Sequence, residues 1–212
     1  MKKRFLTAAV VLFSFYGYSQ TKGTSALSLG ISATTNEVKN NTLTTDQISK
    51  TTNSVFRLGY GLFVEDNNKI SIELLYNRTK SDYFGSNDFR EDKGFGAAVS
   101  YQRFFPLVKT LYAYAGASGQ YLNSKGETDS PNAFDRNSTT NSYALVVTGG
   151  LTWFISNRWA LETNLISTGV SYSETKFDEV SQNQSYSSKN TNFSLSTDGV
   201  LNNLGFKVYL MF

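Results

Sequence analysis

The segment Ile70-Ser71-Ile72-Glu73-Leu74-Leu75-Tyr76-Asn77 alternates between two kinds of side chain. Its even-numbered positions are all apolar or aromatic, whereas its odd-numbered positions are Ser71, Glu73, Leu75 and Asn77. Because successive side chains of a β-strand point to opposite faces, this pattern predicts a strand with one apolar face and one largely polar face.

The same alternation recurs along the chain in segments of about ten residues, the length of a strand that crosses a membrane. It is clear over residues 143–154 and clearest over residues 204–212, where every second side chain is apolar. Eight strands are predicted, over residues 24–35, 54–64, 69–79, 93–104, 110–121, 142–154, 158–172 and 200–212. An earlier start of the last strand, near Asn192 with a kink at Asp198-Gly199, is the alternative.

Short and long connections alternate between these strands without exception. The short ones are residues 65–68, 105–109 and 155–158, and the long polar ones are residues 36–53, 80–92, 122–141 and 173–199. Soluble barrels need no such asymmetry, whereas outer-membrane barrels have short periplasmic turns and long outer loops. The sequence therefore predicts an all-β fold, an eight-stranded antiparallel up-and-down transmembrane β-barrel with short periplasmic turns and long outer loops.

Four of the faces opposite the apolar ones carry an ion. These are Arg57, Glu73, Glu162 and Lys207, accompanied by Gly, Ala, Ser and Gln. Small residues with opposite charges favour a narrow lumen filled by side chains, in which the four ions form a structural network. They argue against the apolar lumen that a soluble ligand-binding calyx requires.

The first residues have the features of a secretory signal peptide. Lys2, Lys3 and Arg4 precede an apolar run over residues 5–16, and small residues follow before Gln20. That run of about 12 residues is shorter than the ~20 that a membrane-spanning helix needs. We therefore expect residues 1–19 to be a signal peptide and 20–212 to be the barrel domain. Removal of the signal peptide would leave 17 basic and 17 acidic residues. This balance gives no reason to expect a nucleic-acid partner.

Composition excludes several classes of site. The sequence contains neither Cys nor His, so thiolate metal sites, cysteine nucleophiles and imidazole bases are absent. Glu73 and Glu162 could form an acid–base pair, but mutual neutralisation with Arg57 and Lys207 is the favoured interpretation. The acidic residues Asp82, Asp88, Glu91 and Asp92 lack the spacing of an EF-hand. We expect no catalytic residue, no cofactor and no bound metal.

The chain resembles the small eight-stranded outer-membrane barrels of the OmpA/OmpX type. The resemblance rests on the signal peptide, the alternation of short and long turns and the closing segment Leu204-Gly205-Phe206-Lys207-Val208-Tyr209-Leu210-Met211-Phe212. In that family a final strand that ends in Phe is recognised by the barrel-assembly machinery. The resemblance implies this role for Val208, Leu210 and Phe212.

The expected function is that of a non-enzymatic outer-membrane protein, exported by its signal peptide, whose surface loops have structural or adhesion and recognition roles. Its expected partners are outer-membrane lipid, the assembly machinery during insertion and an unidentified extracellular partner, and we expect a monomer. The alternatives are a soluble exported calyx, a small pore and a lipid-modifying barrel enzyme. Enzymes of this architecture generally rely on a His, which this chain lacks.

Overall fold

The computed structural model describes residues 21–42, 45–82, 89–129, 136–179, 184–196 and 204–212. All regular structure in these ranges is β-strand. Within them, no helix is long and apolar enough to cross a membrane. The predicted signal peptide, Asp88 and the predicted kink at Asp198-Gly199 lie outside the described residues.

Nine strands are present in these ranges. They are β1 (Ser25–Thr42), β2 (Thr45–Glu65), β3 (Asn68–Asp82), β4 (Phe89–Pro106), β5 (Leu111–Asp129), β6 (Arg136–Phe154), β7 (Trp159–Glu179), β8 (Gln184–Ser196) and β9 (Leu204–Met211).

These strands close into an eight-membered antiparallel ring. Strands β1 to β7 each pair with the next one in sequence, and β9 pairs with both β7 and β1. The eighth position of the ring is shared, because β9 pairs with residues 159–163 of β7 and β8 pairs with residues 167–179. The predicted eight-stranded up-and-down barrel is therefore confirmed.

Strands β1 to β7 are longer than predicted, whereas β9 covers only residues 204–211 of the predicted 200–212. The longer strands correct the assignment of the long polar connections as loops. Most described residues of 36–53, 80–92, 122–141 and 173–199 continue the strands as paired hairpins. These segments are rich in Ser, Thr, Asn and charged residues with only scattered apolar ones, so the alternation that marks a strand in the sequence is lost. The backbone ladder continues because its hydrogen bonds do not depend on that alternation.

The three short turns lie at one end of the barrel, as predicted. The tightest joins β2 to β3 through Asp66 and Asn67, and Asn67 adopts a positive φ of 65°. Asn tolerates this left-handed conformation better than most residues, which suits it to a two-residue hairpin. The chain ends meet at the same end, where Ser25 and Phe212 exchange two backbone hydrogen bonds of 2.9 Å.

The outer surface of the barrel is apolar, and the charged side chains between its ends point into the lumen. On β3, Ile72 and Leu74 are 59% and 65% exposed, whereas Glu73 between them is 6% exposed. The outward-facing set also includes Leu27, Leu29, Ile31, Leu58, Leu62, Val99, Leu145, Val147, Phe206 and Val208. A soluble barrel of the lipocalin kind has the opposite arrangement, so the predicted assignment of faces is confirmed.

Aromatic side chains fill the lumen near the short turns. Phe104 lies at their centre, with its ring centroid 5.8 Å from Phe63, 6.2 Å from Tyr114 and 6.0 Å from Phe154. We call Phe63, Phe104, Tyr114, Phe154 and Tyr209, all at most 5% exposed, the aromatic plug. The plug packs as the hydrophobic core of the barrel.

Candidate functional site

The structure brings Arg57, Glu73, Glu162 and Lys207 together inside the barrel. The Lys207 Nζ lies 2.6 Å from Glu73 Oε1 and 3.9 Å from Glu162 Oε1, so it bridges the two carboxylates. Arg57 approaches the other oxygen of Glu73, at 3.7 Å. We call these four residues the lumenal ion network. They come from β2, β3, β7 and β9, and the network therefore connects strands that are far apart in sequence.

Glu162 is surrounded by hydrogen-bond donors in addition to Lys207. It accepts hydrogen bonds from the hydroxyl of Tyr209 at 2.9 Å and from that of Thr152 at 3.3 Å. The amide nitrogen of Gln102 lies 3.3 Å from both of its carboxylate oxygens. A buried carboxylate is stable only when its oxygens are satisfied in this way. These contacts satisfy both oxygens of the Glu162 carboxylate.

Gly59 leaves space inside the barrel for the side chain of Glu73 on the neighbouring strand. A Cβ atom at Gly59 would lie 2.9 Å from Glu73 Cγ and 2.5 Å from Ser28 Oγ, closer than real Cβ contacts allow. Gly59 and Glu73 are directly opposite in the β2–β3 register. The glycine on one strand thus makes room for the charged side chain on its neighbour.

A β-bulge in β7 follows directly after Asn164, whose side chain lines the lumen beyond the network. Gly149 pairs with Ile166 and Gly150 with Asn164, which leaves Leu165 as the extra residue. A Cβ atom at Gly150 would lie 2.1 Å from the carbonyl oxygen of Thr163, so the bulge requires glycine there. The buried Oδ1 of Asn164 has no hydrogen-bond partner among the described residues.

A polar cavity of about 330 Å³ lies against the ion network. Its lining includes Arg57, Glu73, Glu162 and Lys207 together with Ser100, Ser118, Gln120, Thr148 and Asn164. The predicted filling of the lumen by side chains therefore holds for the half that contains the aromatic plug. The half beyond the network retains space for water.

Lys69 is a further residue of the site that the sequence pattern did not indicate. It is 1% exposed, and its Nζ lies 3.8 Å from the ring centroid of Tyr209 and 5.3 Å from that of Phe104. A cation over ring faces is stabilised by the ring quadrupoles. The signal that could have found it is its position two residues before Ser71 and four before Glu73, on the same inward face of β3.

Two rows of aromatic rings lie on the outer surface of β2 to β7 at the end opposite the short turns. Phe56, Tyr76 and Phe95 are paired in register, with ring centroids 6.2 and 4.9 Å apart. Tyr121, Tyr143 and Tyr172 form the second row across β5, β6 and β7. Trp153 and Trp159, each 49% exposed, flank the short turn between β6 and β7.

We call the two aromatic rows at one end and the pair Trp153 and Trp159 at the other end the aromatic belts. The distance between these two belts matches the thickness of a bilayer. Ten residues separate Tyr143 from Trp153 along β6. At about 3.3 Å per residue and a tilt of about 45°, this corresponds to a height of about 23 Å, against the ~25 Å apolar band of outer-membrane barrels.

Two of the acidic residues that lack EF-hand spacing, Glu91 and Asp92, are paired with arginine on β3 and β4. Glu91 accepts a short hydrogen bond from Arg78 on the outer surface and lies 3.3 Å from Lys93 Nζ. These contacts, the bond from Arg78 above all, lower the pKa of Glu91 below its ordinary value. Asp92 accepts two bonds of 2.9 Å from Arg90 on the inward face. Among the described residues, no group of three acidic side chains could hold a metal ion.

No protein-family model and no curated protein matches this chain. Among solved structures, it is similar to Neisserial surface protein A, with 14% identity over 90% of this chain and 98% of that one, at a TM-score of 0.39. A major outer membrane protein from Thermus thermophilus has 8% identity over 89% of this chain and 99% of that one, at a TM-score of 0.46.

A third similar structure is the translocator domain of the autotransporter NalP from Neisseria meningitidis. Its identity is 14% and its TM-score 0.45, and the match covers 92% of this chain. The chain spans 65% of that domain's length. Identities this low do not transfer a function.

Proposed function

We propose that this protein is a non-enzymatic, monomeric outer-membrane β-barrel that does not conduct solutes and displays polar β-hairpins at the cell surface. The observation that carries the proposal is the arrangement of side chains, apolar outside and charged inside, which is the reverse of that in a soluble barrel. Apolar side chains cover the outside between two aromatic belts, while Lys69, Glu73 and Glu162 are at most 6% exposed inside. A bilayer solvates such a surface, whereas water does not.

The aromatic plug argues against a pore. Eight strands enclose a lumen just wide enough for side chains. In this barrel, five aromatic residues occupy the half of the lumen near the short turns. Lys69 and Met211, at 1% and 3% exposed, fill space beside them. These side chains thereby separate the polar cavity beside the ion network from the end of the barrel that carries the short turns.

Gel migration of the envelope-fraction protein tests the membrane barrel. We expect the unboiled protein in SDS to run at a different apparent mass from the boiled protein, because a closed barrel resists SDS until it is heated. The shift should occur in the outer-membrane fraction. A single unshifted band in the soluble periplasmic fraction would instead support an exported calyx.

The surface hairpins supply the proposed recognition role. Beyond the aromatic row at Tyr172, the hairpin of β7 and β8 pairs Phe177 with Tyr186, whereas residues 36–52 of the β1–β2 hairpin contain no aromatic residue. Aromatic residues are enriched at binding surfaces because they bury large areas at little entropic cost. We therefore assign recognition to the β7–β8 hairpin.

Shortening this hairpin should abolish adhesion of cells that produce the protein. Replacement of residues 177–186 by Asn-Gly removes Phe177 and Tyr186 and leaves Lys176 opposite Ser187. The matched control replaces residues 39–48 in the same way and leaves Val38 opposite Ser49. Cell–cell and cell–surface adhesion should be lost only in the first variant, with heat-dependent migration unchanged in both. Adhesion that survives the first replacement, or is lost in both, would contradict the assignment.

A further inference from the structure

Three basic side chains stand in register on the outer surface directly beyond one aromatic row. Arg78 on β3 is paired with Lys93 on β4, and Lys93 is paired with Lys125 on β5. Each shares the outward face of its strand; Arg78 follows Tyr76 by two residues, and Lys93 precedes Phe95 by two. We call Arg78, Lys93 and Lys125 the basic row.

Such a row is unfavourable unless something neutralises it. Side chains directly opposite on neighbouring strands have Cβ atoms about 5 Å apart, and like charges at that distance destabilise a sheet. Glu91 contacts both Arg78 and Lys93 but is a single carboxylate. The next register positions outward are Lys80, Glu91 and Glu127, so the two rows together hold four basic and two acidic residues.

The position of the basic row selects the kind of anion. Aromatic belts mark the boundary between hydrocarbon and headgroups, so side chains two residues beyond Tyr76 and Phe95 lie at headgroup depth. Arg78 and Lys93 remain 43% and 54% exposed despite their contacts with Glu91. Their donors are therefore accessible to an anion held in the membrane surface.

We propose that the basic row binds a phosphate group of a phosphorylated glycolipid in the outer leaflet, with the acyl chains lying against the apolar strands below. This inference rests on the proposed membrane function and names a lipid partner for it. The Arg78 guanidinium supplies a fork that matches phosphate geometry, and Lys93 and Lys125 supply point charges beside it. The aliphatic surface of Ile72, Leu74 and Val99, each more than half exposed, lies on the same strands toward the short turns.

The test measures binding to the full-length barrel in detergent micelles by native mass spectrometry. The probes are bisphosphorylated lipid A, the same lipid with both phosphates removed, and phosphatidylglycerol. The double variant R78S/K93S should bind bisphosphorylated lipid A about 25-fold more weakly, at roughly fivefold per basic residue near a membrane surface. The control K50S/K109S removes the same charge from exposed sites away from the row and should bind as the native protein does.

Two further variants separate binding from folding. K125S changes a residue outside the Glu91 ion pairs and should weaken binding about fivefold, and E91Q should strengthen it because Glu91 competes for the same donors. Heat-dependent migration reports the barrel fold in every variant, so loss of binding with that shift intact concerns this inference alone. Equal losses in both double variants, or equally tight binding of dephosphorylated lipid A or phosphatidylglycerol, would overturn it.

Discussion

Replacing Lys207 by Met should lower the free energy of unfolding of the barrel by about 3 kcal/mol. Lys207 is the cation that bridges Glu73 and Glu162, and both carboxylates are nearly inaccessible to water. Removing one partner of a buried ion pair costs about 3–5 kcal/mol because a charge is left uncompensated. The lower end applies because Arg57 remains beside Glu73, and Tyr209, Thr152 and Gln102 still donate to Glu162.

Urea titration in detergent micelles, followed by Trp fluorescence, measures this loss. Lys50→Met serves as the control, because Lys50 is exposed on a hairpin and its replacement should change the free energy of unfolding by less than about 0.5 kcal/mol. The double variant Glu73→Gln/Lys207→Met should recover part of the loss, since it removes one of the stranded charges. A loss below about 1 kcal/mol for Lys207→Met, or no recovery in the double variant, would show that the bridge contributes little.

The alternation of side chains is sufficient to place these ions in one lumen. Glu73 shares its face of β3 with Ser71 and Asn77, and the opposite face is apolar, so the alternation alone assigns Glu73 to the inside. Lys207 follows from the same reasoning on the last strand. The pairing itself depends on the stagger of the strands around the ring, which the alternation does not report.

Other features depend on contacts that no local pattern reveals. An uninterrupted alternation from the outward-facing Trp159 would place Tyr172 inside the barrel, but the bulge at Leu165 turns Tyr172 outward. The bulge arises where Gly149 and Gly150 on the neighbouring strand leave room for an extra residue. Its cause thus lies on another strand, at a distance of about 15 residues in sequence.

The aromatic plug is not evident from the sequence for a related reason. Phe63, Phe104 and Phe154 lie on inward faces, yet each is next to a short turn, where aromatic residues also mark a membrane interface. Composition alone does not distinguish these two locations at a strand end. Only the closed ring, which places the Phe63 and Phe154 centroids 5.8 and 6.0 Å from that of Phe104, shows that they form a core.

The double replacement Phe104→Ala/Phe154→Ala should convert a closed barrel into a conducting one. Phe104 is the ring that contacts three others, and Phe154 contacts both Phe104 and Tyr112. Without the two rings, the polar cavity beside the ion network would extend toward the short turns. Single-channel recordings in planar bilayers should show no conductance steps for the native protein and discrete steps for the double variant.

The neighbouring residue provides the control for this experiment. Phe105 is 44% exposed on the outward face of the same strand, so Phe105→Ala removes the same ring from the outside and should leave the barrel closed. Phe104→Ala alone should lower the free energy of unfolding by about 3–5 kcal/mol, the cost of truncating a buried Phe, and Phe105→Ala by much less. This comparison tests the plug even if the double variant does not fold. Native conductance equal to that of the double variant, or equal losses of stability for Phe104→Ala and Phe105→Ala, would show that the rings do not close the lumen.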